Sequence, residues 1–419
     1  MSRKYKKKGN KINPKTLLVT VDIGKKRNQG YFYCQARPEE KTFSFPNTGK
    51  GYGYLWGKML GFKHKNGLED IVLGIESTSN YGHPLLHYMN NRGVLLVQVN
   101  PKHGKRVKEL VDNTPNKTDK KDPRVIATLV LLGTGLTVVV PQGVCAHLRH
   151  LSHARERVYT RLHSLYSQLH ELVFIIFPEL LTVMRSVERK STQYLLRNYP
   201  LPEDIVRCGL ADLTTMLRKQ SRGQLGRERA EELYEAAQYS GGIKEGSASI
   251  LYEIGIILGY IHSVQEDIRE LENKLSDYLH QMPYSKFLLS VKGIGEVTAA
   301  ILLGEYADLK AFRSASEAEK FAGLNLYEVS SGRHKGTKRI SKVGRSLLRK
   351  GLYFAALNTV RSGGVMHTTY QGYLSRHMKK NKALIAVARK LVRLVFALVR
   401  DEREYHPEYE RFYRNREAA

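Results

Sequence analysis

Two aspartates three residues apart, Asp119 and Asp122, lie in the stretch Asn116-Lys117-Thr118-Asp119-Lys120-Lys121-Asp122, just ahead of an apolar run from Val125 to Leu132. At the mouth of a helix that spacing turns both carboxylates to one side. Two further acids close apolar runs upstream: Asp22 follows Leu17-Leu18-Val19-Thr20-Val21, and Glu76 follows Ile71-Val72-Leu73-Gly74-Ile75. Four carboxylates brought together repel strongly at neutral pH unless divalent cations neutralise them, and all-oxygen donors suit Mg²⁺ or Mn²⁺. This is equipment for phosphoryl transfer.

A second group of chemically capable residues lies near the other end of the chain. Residues 327–342, Tyr-Glu-Val-Ser-Ser-Gly-Arg-His-Lys-Gly-Thr-Lys-Arg-Ile-Ser-Lys, are small, hydroxylated and densely basic, as a loop around a phosphodiester would be. A serine alkoxide attacking phosphorus needs charge offset by metal ions or by such basic groups. From residue types alone, Ser330, Ser331 and Ser341 read as turn residues as readily as nucleophiles. Upstream, Val291-Lys292-Gly293-Ile294-Gly295-Glu296 has the form of a helix-hairpin-helix turn. Its glycines allow a sharp bend, and the following helix offers free amides to a phosphate.

The elements that must hold these groups follow from periodicity. Residues 17–23, 30–36, 42–46, 71–75 and 94–99 read as strands, with helices over 52–62 and 83–91, which predicts a mixed sheet with helices against it. Asp22 and Glu76 then fall at strand carboxyl ends, where open α/β sheets place their sites. Gly49, Gly51, Gly53 and Gly57 lack the spacing of a nucleotide-binding loop and read as a loop and helix start. After Pro141, Leu148, Leu151, Val158, Leu162, Leu165, Leu169 and Leu172 keep heptad spacing, interrupted where Arg155 takes an apolar place. A similar helix runs through Leu251, Ile254, Leu258, Ile261, Ile268, Leu271, Leu275 and Leu279, so the pair forms an antiparallel hairpin or a dimer seam. Residues 182–246 between them are more polar and partly helical. His147, His150 and His153, near Cys145, lack a second ligand pair and read as surface histidines.

The 68 Lys and Arg against 40 Asp and Glu, a surplus of +28, fit a binder of phosphate backbones. Three scattered cysteines fit a reducing compartment. The basic amino terminus is followed by no signal-length apolar run, and the apolar runs fall short of a bilayer span. A cytoplasmic protein without a membrane partner is expected, divided into a basic tail (1–16), an α/β domain (17–138), long helices with a polar insertion (139–285, insertion 182–246) and a helical domain (286–419).

In order along the chain, Val21-Asp22-Ile23-Gly24, Ile75-Glu76-Ser77-Thr78, the stretch from Asn116 to Asp122, Gly293-Ile294-Gly295, Ala322-Gly323-Leu324, Ser331-Gly332 and Ile340-Ser341-Lys342-Val343-Gly344 through Leu348-Arg349 resemble the DEDD transposases of bacterial insertion sequences in family one hundred and ten. Members include bridge-RNA-guided recombinases. The resemblance spans about residues 17–400. It implies an RNase H-like, RuvC-type domain joined through a coiled coil to a transposase domain bearing a catalytic serine. By position, Asp22, Glu76, Asp119 and Asp122 resemble the metal-binding tetrad, and Ser331 resembles the nucleophile that forms a 5′-phosphoserine link, with Ser330 and Ser341 as rivals. It further implies a guide RNA pairing with target and donor DNA, and a homo-oligomer from dimer to tetramer. Lys117, Lys292, Gly293, Gly295, Arg333, Lys335, Lys338, Arg339, Lys342 and Arg349 are the expected nucleic-acid contacts. Pro123 departs from the family pattern and should fix the helix start at about 119–122. The insertion is larger than the family pattern, so no RNA contact is carried over to it.

The expected activity is site-specific DNA strand exchange through the serine ester. The rivals are a metal-dependent junction nuclease using water, and a basic nucleic-acid scaffold without catalysis.

Overall fold

The computed structural model describes residues 12–35, 41–76, 80–101, 103, 104, 106, 107, 122–328, 336 and 338–407. The chain divides into two compact units, the first from residues 1–146, 290–294 and 302–419, the second from 147–289 and 295–301.

The first unit opens with a mixed sheet. Strands β1 (Thr16–Asp22), β2 (Arg27–Tyr33), β3 (Phe43–Pro46), β4 (Asp70–Glu76), β5 (Leu95–Val99) and the two-residue β6 (Leu136–Thr137) lie in the order β3-β2-β1-β4-β5-β6. β1 pairs parallel with β4 and β4 with β5, whereas β1–β2, β2–β3 and β5–β6 are antiparallel. Both faces are covered, which is why β1 and β4 read as near-continuous apolar runs. Leu17, Val19, Val21, Leu73 and Ile75 pack on one side with Leu55 and Met59 of α1 (Gly49–Lys65) and Leu85 and Met89 of α2 (His83–Asn90). Leu18, Val72, Val97 and Val99 pack on the other with Ile126, Leu129 and Val130 of α3 (Asp122–Leu131). α3 can lie this close because Gly74 has no side chain: a Cβ there would come within 3.1 Å of both Thr20 Cγ2 and Val130 Cγ2. The glycine cluster forms the first turns of α1, with no residue of it in a loop as half of the expectation had it, and the helix is capped by Thr48, whose hydroxyl accepts from the Gly51 amide.

The second unit is built on α4 (Gly143–Ile176) and α10 (Ser247–His280). His147 stacks on Tyr278, Arg155 bonds Glu272 and Gln265 bonds Tyr166, so the helices run antiparallel as an intramolecular hairpin. Arg155 breaks the heptad to make that bridge and also lies over the Tyr159 ring, 4.3 Å from its centroid. The insertion is more regular than its polarity suggests. α5 (Pro178–Met184) leads into it, and it holds α6 (Lys190–Asn198), α7 (Pro202–Cys208), α8 (Leu210–Gln220) and α9 (Arg227–Gln238), which bury Leu195, Ile205, Leu213 and Leu233 in one core with Ile254 and Leu258. Contrary to the expectation for apolar runs, α10 is long and apolar enough, over an 18-residue stretch, to cross a bilayer. Its Ile254, Ile257, Leu258 and Ile261 are nonetheless buried in the unit's core.

The chain then forms α11 (Ser285–Leu289) and α12 (Glu296–Tyr306) around the Gly293-Ile294-Gly295 turn. The remaining elements belong to the first unit: α13 (Ala315–Phe321), a ribbon of β7 (Leu326–Tyr327) and β8 (Arg339–Ile340), α14 (Ser346–Thr359), α15 (His367–Leu374) and α16 (Lys380–Asp401). Glu319 of α13, only 3 % exposed, takes Arg389 and Arg393 of α16 at 2.9 and 2.6 Å.

Candidate active site

Parallel pairing sets Val21 opposite Ile75, so the next residues, Asp22 and Glu76, stand side by side at the carboxyl edge of the sheet. Side chains alternate along a strand, so Asp22 shares a face with Thr20 and Leu18, and Glu76 shares it with Gly74 and Val72. That is the face α3 covers. The Thr20 hydroxyl, fully buried, donates to the Pro123 carbonyl at 2.6 Å and pins the first turn of α3 beside the strand that ends in Asp22. Pro123 is the second residue of a helix beginning at Asp122, where its missing N–H costs nothing. A Cβ on Gly104 would stand 3.5 Å from Glu76 Oε1, so this segment passes close over the Glu76 carboxylate.

The turn behind Asp22 is held by side chains the sequence did not single out. Buried Asn28 accepts from the Gly24 amide at 3.2 Å and donates to Asn47 Oδ1 at 3.1 Å, while Asn47 donates to the Gly24 and Tyr81 carbonyls. Tyr52 donates to the same Asn47 oxygen at 2.7 Å. Gly24 fits because a Cβ would lie 2.2 Å from the Arg27 carbonyl oxygen. No periodic signal marks these residues; Asn28 and Asn47 are turn-type residues whose partnership exists only after β2 and β3 pair.

Asp119, the Asp122 side chain and Lys117 lie outside the described residues, and so do Ser330, Ser331, Arg333 and Lys335. Asp22 and Glu76 are brought together, and the start of α3 is brought to them. Among the described residues no group of three potential ligands is gathered. The donor set still fits a hard divalent ion: carboxylate oxygens on adjacent strand ends, without sulfur or imidazole among them.

The ribbon holds both ends of the segment that carries Ser331. Leu326 pairs with Ile340 and Tyr327 with Arg339. Below it, two glycines cross. A Cβ on Gly344 would lie 2.6 Å from the Gly323 nitrogen, and the Lys342 amide donates to the Gly323 carbonyl. Ser341 is committed to this crossing. Its hydroxyl donates to Asn325 at 2.6 Å and accepts from the Val343 amide at 3.3 Å. Lys338, Arg339 and Lys342 are exposed along the ribbon, with Lys338 3.8 Å from Glu328. Arg349 instead faces inward: it donates to the Ala322 carbonyl at 3.1 Å, and burial lowers its pKa. Lys292 is exposed at the other turn. Gly293, at φ +109, is required there, since a Cβ would lie 3.0 Å from the Thr359 nitrogen, while Gly295 faces open space.

Each group of residues falls within a stretch that matches a known family. Residues 19–178 match the DEDD transposase domain of the IS110 kind, and residues 285–371 match a family described as Transposase IS116/IS110/IS902. The chain is 22 % identical over 397 residues to an insertion element IS110 protein of 43.6 kDa from Streptomyces coelicolor, covering 92 % of this chain and 94 % of that one. It is 23 % identical to an IS116 protein from Streptomyces clavuligerus, over 70 % of this chain and 73 % of that one. A transposase for IS1328 of Yersinia enterocolitica is 29 % identical over 137 residues, 32 % of this chain and 41 % of the relative. These matches make the class that of the DEDD transposases. Within it, the chain belongs to the IS110/IS116/IS902 family.

Proposed function

We propose that the protein catalyses RNA-guided, site-specific DNA strand exchange through a covalent 5′-phosphoserine intermediate. The observation carrying this reading is the pairing of Asp22 and Glu76 on adjacent parallel strand ends, on the face where Thr20 fastens the start of α3. The strand order supports an RNase H-like, RuvC-type assignment for residues 17–138. The turn at Gly293 supports a helix-hairpin-helix in the transposase domain (286–419), beyond a coiled coil over 139–285.

Asp22, Glu76, Asp119 and Asp122 would hold Mg²⁺ or Mn²⁺, which when bound offsets charge on the scissile phosphate. Ser331 Oγ attacks phosphorus. The new Oγ–P bond replaces the bond to the 3′ oxygen, which leaves as a hydroxyl carrying the proton that serine gave up. Ser341 already has two hydrogen bonds within the backbone crossing, which favours Ser331 over this rival. Lys338, Arg339 and Lys342 would neutralise the DNA backbone near the ester. Target and donor DNA, a guide RNA and further copies of the chain, two to four, are the partners of this reading, and the bacterial cytoplasm is its setting.

Trapping tests it. The protein is incubated with DNA carrying the element's ends, the RNA transcribed from its flanks and Mg²⁺, then denatured, digested and analysed by mass spectrometry. Nucleotide on Ser331, lost in Ser331→Ala, is expected. Cleaved DNA without an attached peptide would replace the serine mechanism with hydrolysis by a junction nuclease.

A further inference from the structure

The insertion of the second unit contains a cleft of about 470 Å³ that the strand-exchange reading does not use. It lies where the start of α6 meets the turn after α8. Its lining includes Arg189, Lys190 and Arg222, together with Ser191, Gln220 and Gln224, and contains no carboxylate. The three cations are exposed and make no ion pair among the described residues. They sit on a fixed frame. The turn is closed by the Gly223 amide on the Arg218 carbonyl and by the Leu225 amide on Ser221 Oγ, with Arg222 in the left-handed region at φ +53.

Two independent features give the cleft a polarity. α6 has no side-chain cap and no acid in its first turn, and its first helical hydrogen bond is from Gln193 to Arg189, so the amides of residues 190–192 have no helical acceptor. Beside them, Ser191 is only 4 % exposed, lines the cleft, and its hydroxyl makes no hydrogen bond among the described residues. The neighbouring Thr192 hydroxyl is buried and likewise without a partner among them. Ser191 thus offers the cleft a hydroxyl that no described protein group engages. An oxyanion with several acceptor atoms satisfies it, the amides and the guanidinium groups together.

We propose that this cleft binds a phosphate group of a nucleic-acid backbone, an inference that rests on the nucleic-acid reading above and assigns the insertion a role in it. Guide RNA and element DNA present the same phosphodiester, and the two are separated by measurement. The full-length protein, its Arg189→Gln/Lys190→Gln/Arg222→Gln variant and a charge-matched control, Arg157→Gln/Arg161→Gln/Lys274→Gln, are titrated with single-stranded RNA and with duplex DNA at several salt concentrations. All six residues are exposed, so the folds are expected to survive, and thermal unfolding confirms it. The cleft variant is expected to bind one polymer about tenfold more weakly, with a salt slope reduced by about 0.7 for a single strand or about 0.9 for a duplex, as one lost phosphate contact requires, while the control changes less than about twofold. The polymer affected is the one the cleft holds. Equal losses in cleft variant and control, or no loss in either, overturn the cleft. Wild-type protein that binds neither polymer overturns the nucleic-acid reading of the whole molecule.

Discussion

At the scale of single residues, Thr20 does more than its size suggests, because its hydroxyl is the buried hydrogen bond that fixes the first turn of α3 against β1. Thr20→Val keeps the shape and leaves the Pro123 carbonyl without its donor. A loss of about 1–2 kcal/mol in stability is expected by urea unfolding, together with weaker activation of DNA cleavage by Mg²⁺ in a metal titration. Unchanged metal dependence would detach the helix start from the site. Ser341 and Ser331 separate in the same way. Ser341→Ala removes a hydrogen bond to Asn325 and is expected to cost about 1 kcal/mol while the protein–DNA adduct still forms. Ser331→Ala is expected to abolish the adduct. An adduct lost in Ser341→Ala at unchanged stability would reverse the two roles. The acids at 22 and 76 were legible because each ends an apolar run, whereas Thr20, Asn28 and Asn47 were not. Their partners lie 103, 4 and 23 residues away, and nothing in local sequence announces such pairings.

At the scale of elements, polar staples close the insertion and the last helices. Burial raises the Glu179 carboxyl, but the Gly241 amide at 3.0 Å and the Ser240 hydroxyl at 2.6 Å outweigh it and hold its pKa below the ordinary value. A lowered folded pKa stabilises the protein above about pH 4.5, the unfolded value. That contribution is lost as pH falls through the folded pKa. Glu179→Gln is therefore expected to remove about 1 kcal/mol of stability at pH 7, the figure being small because the carboxylate is solvent-screened. The loss should shrink as pH is lowered below about 4.5, as read by denaturant unfolding across that range. Glu319 differs because it is buried between two arginines. Glu319→Gln is expected to cost about 3 kcal/mol, measured in urea, and a change below about 1 kcal/mol would mean water takes over the arginines. The five main strands and both long helices could be read from periodicity. The helices of the insertion could not, since at 7 to 12 residues each offers only a few apolar positions and they make a core only jointly. Strand order was also hidden, because parallel pairing of β1 with β4 skips two intervening strands.

At the scale of the whole molecule, the proposed functions rest on different residues, carboxylates for the metal and Lys and Arg for nucleic acid, so the two kinds of binding are expected to separate. Chelation of divalent ions is expected to stop DNA cleavage while salt-dependent binding to nucleic acid persists. Mg²⁺ at about a hundredfold its dissociation constant should stabilise the wild type by about 2.7 kcal/mol and Asp22→Asn by much less, as read from thermal unfolding. An equal shift in both would place the ion elsewhere. The division of the first unit, with its sheet built from residues before 141 and its Glu319 clamp completed by α16, also sets an order in time. Every residue of the sheet's two cores is synthesised before the serine segment exists. At about 5–20 residues per second, the roughly 250 residues from the end of α3 to the start of α16 occupy about 12 to 50 s of translation. Throughout that interval the growing chain carries a sheet able to close on its own core while α16, which completes the Glu319 clamp, is still unmade. A ribosome paused before residue 331 would display an acid-bearing lobe that lacks the serine proposed to form the ester.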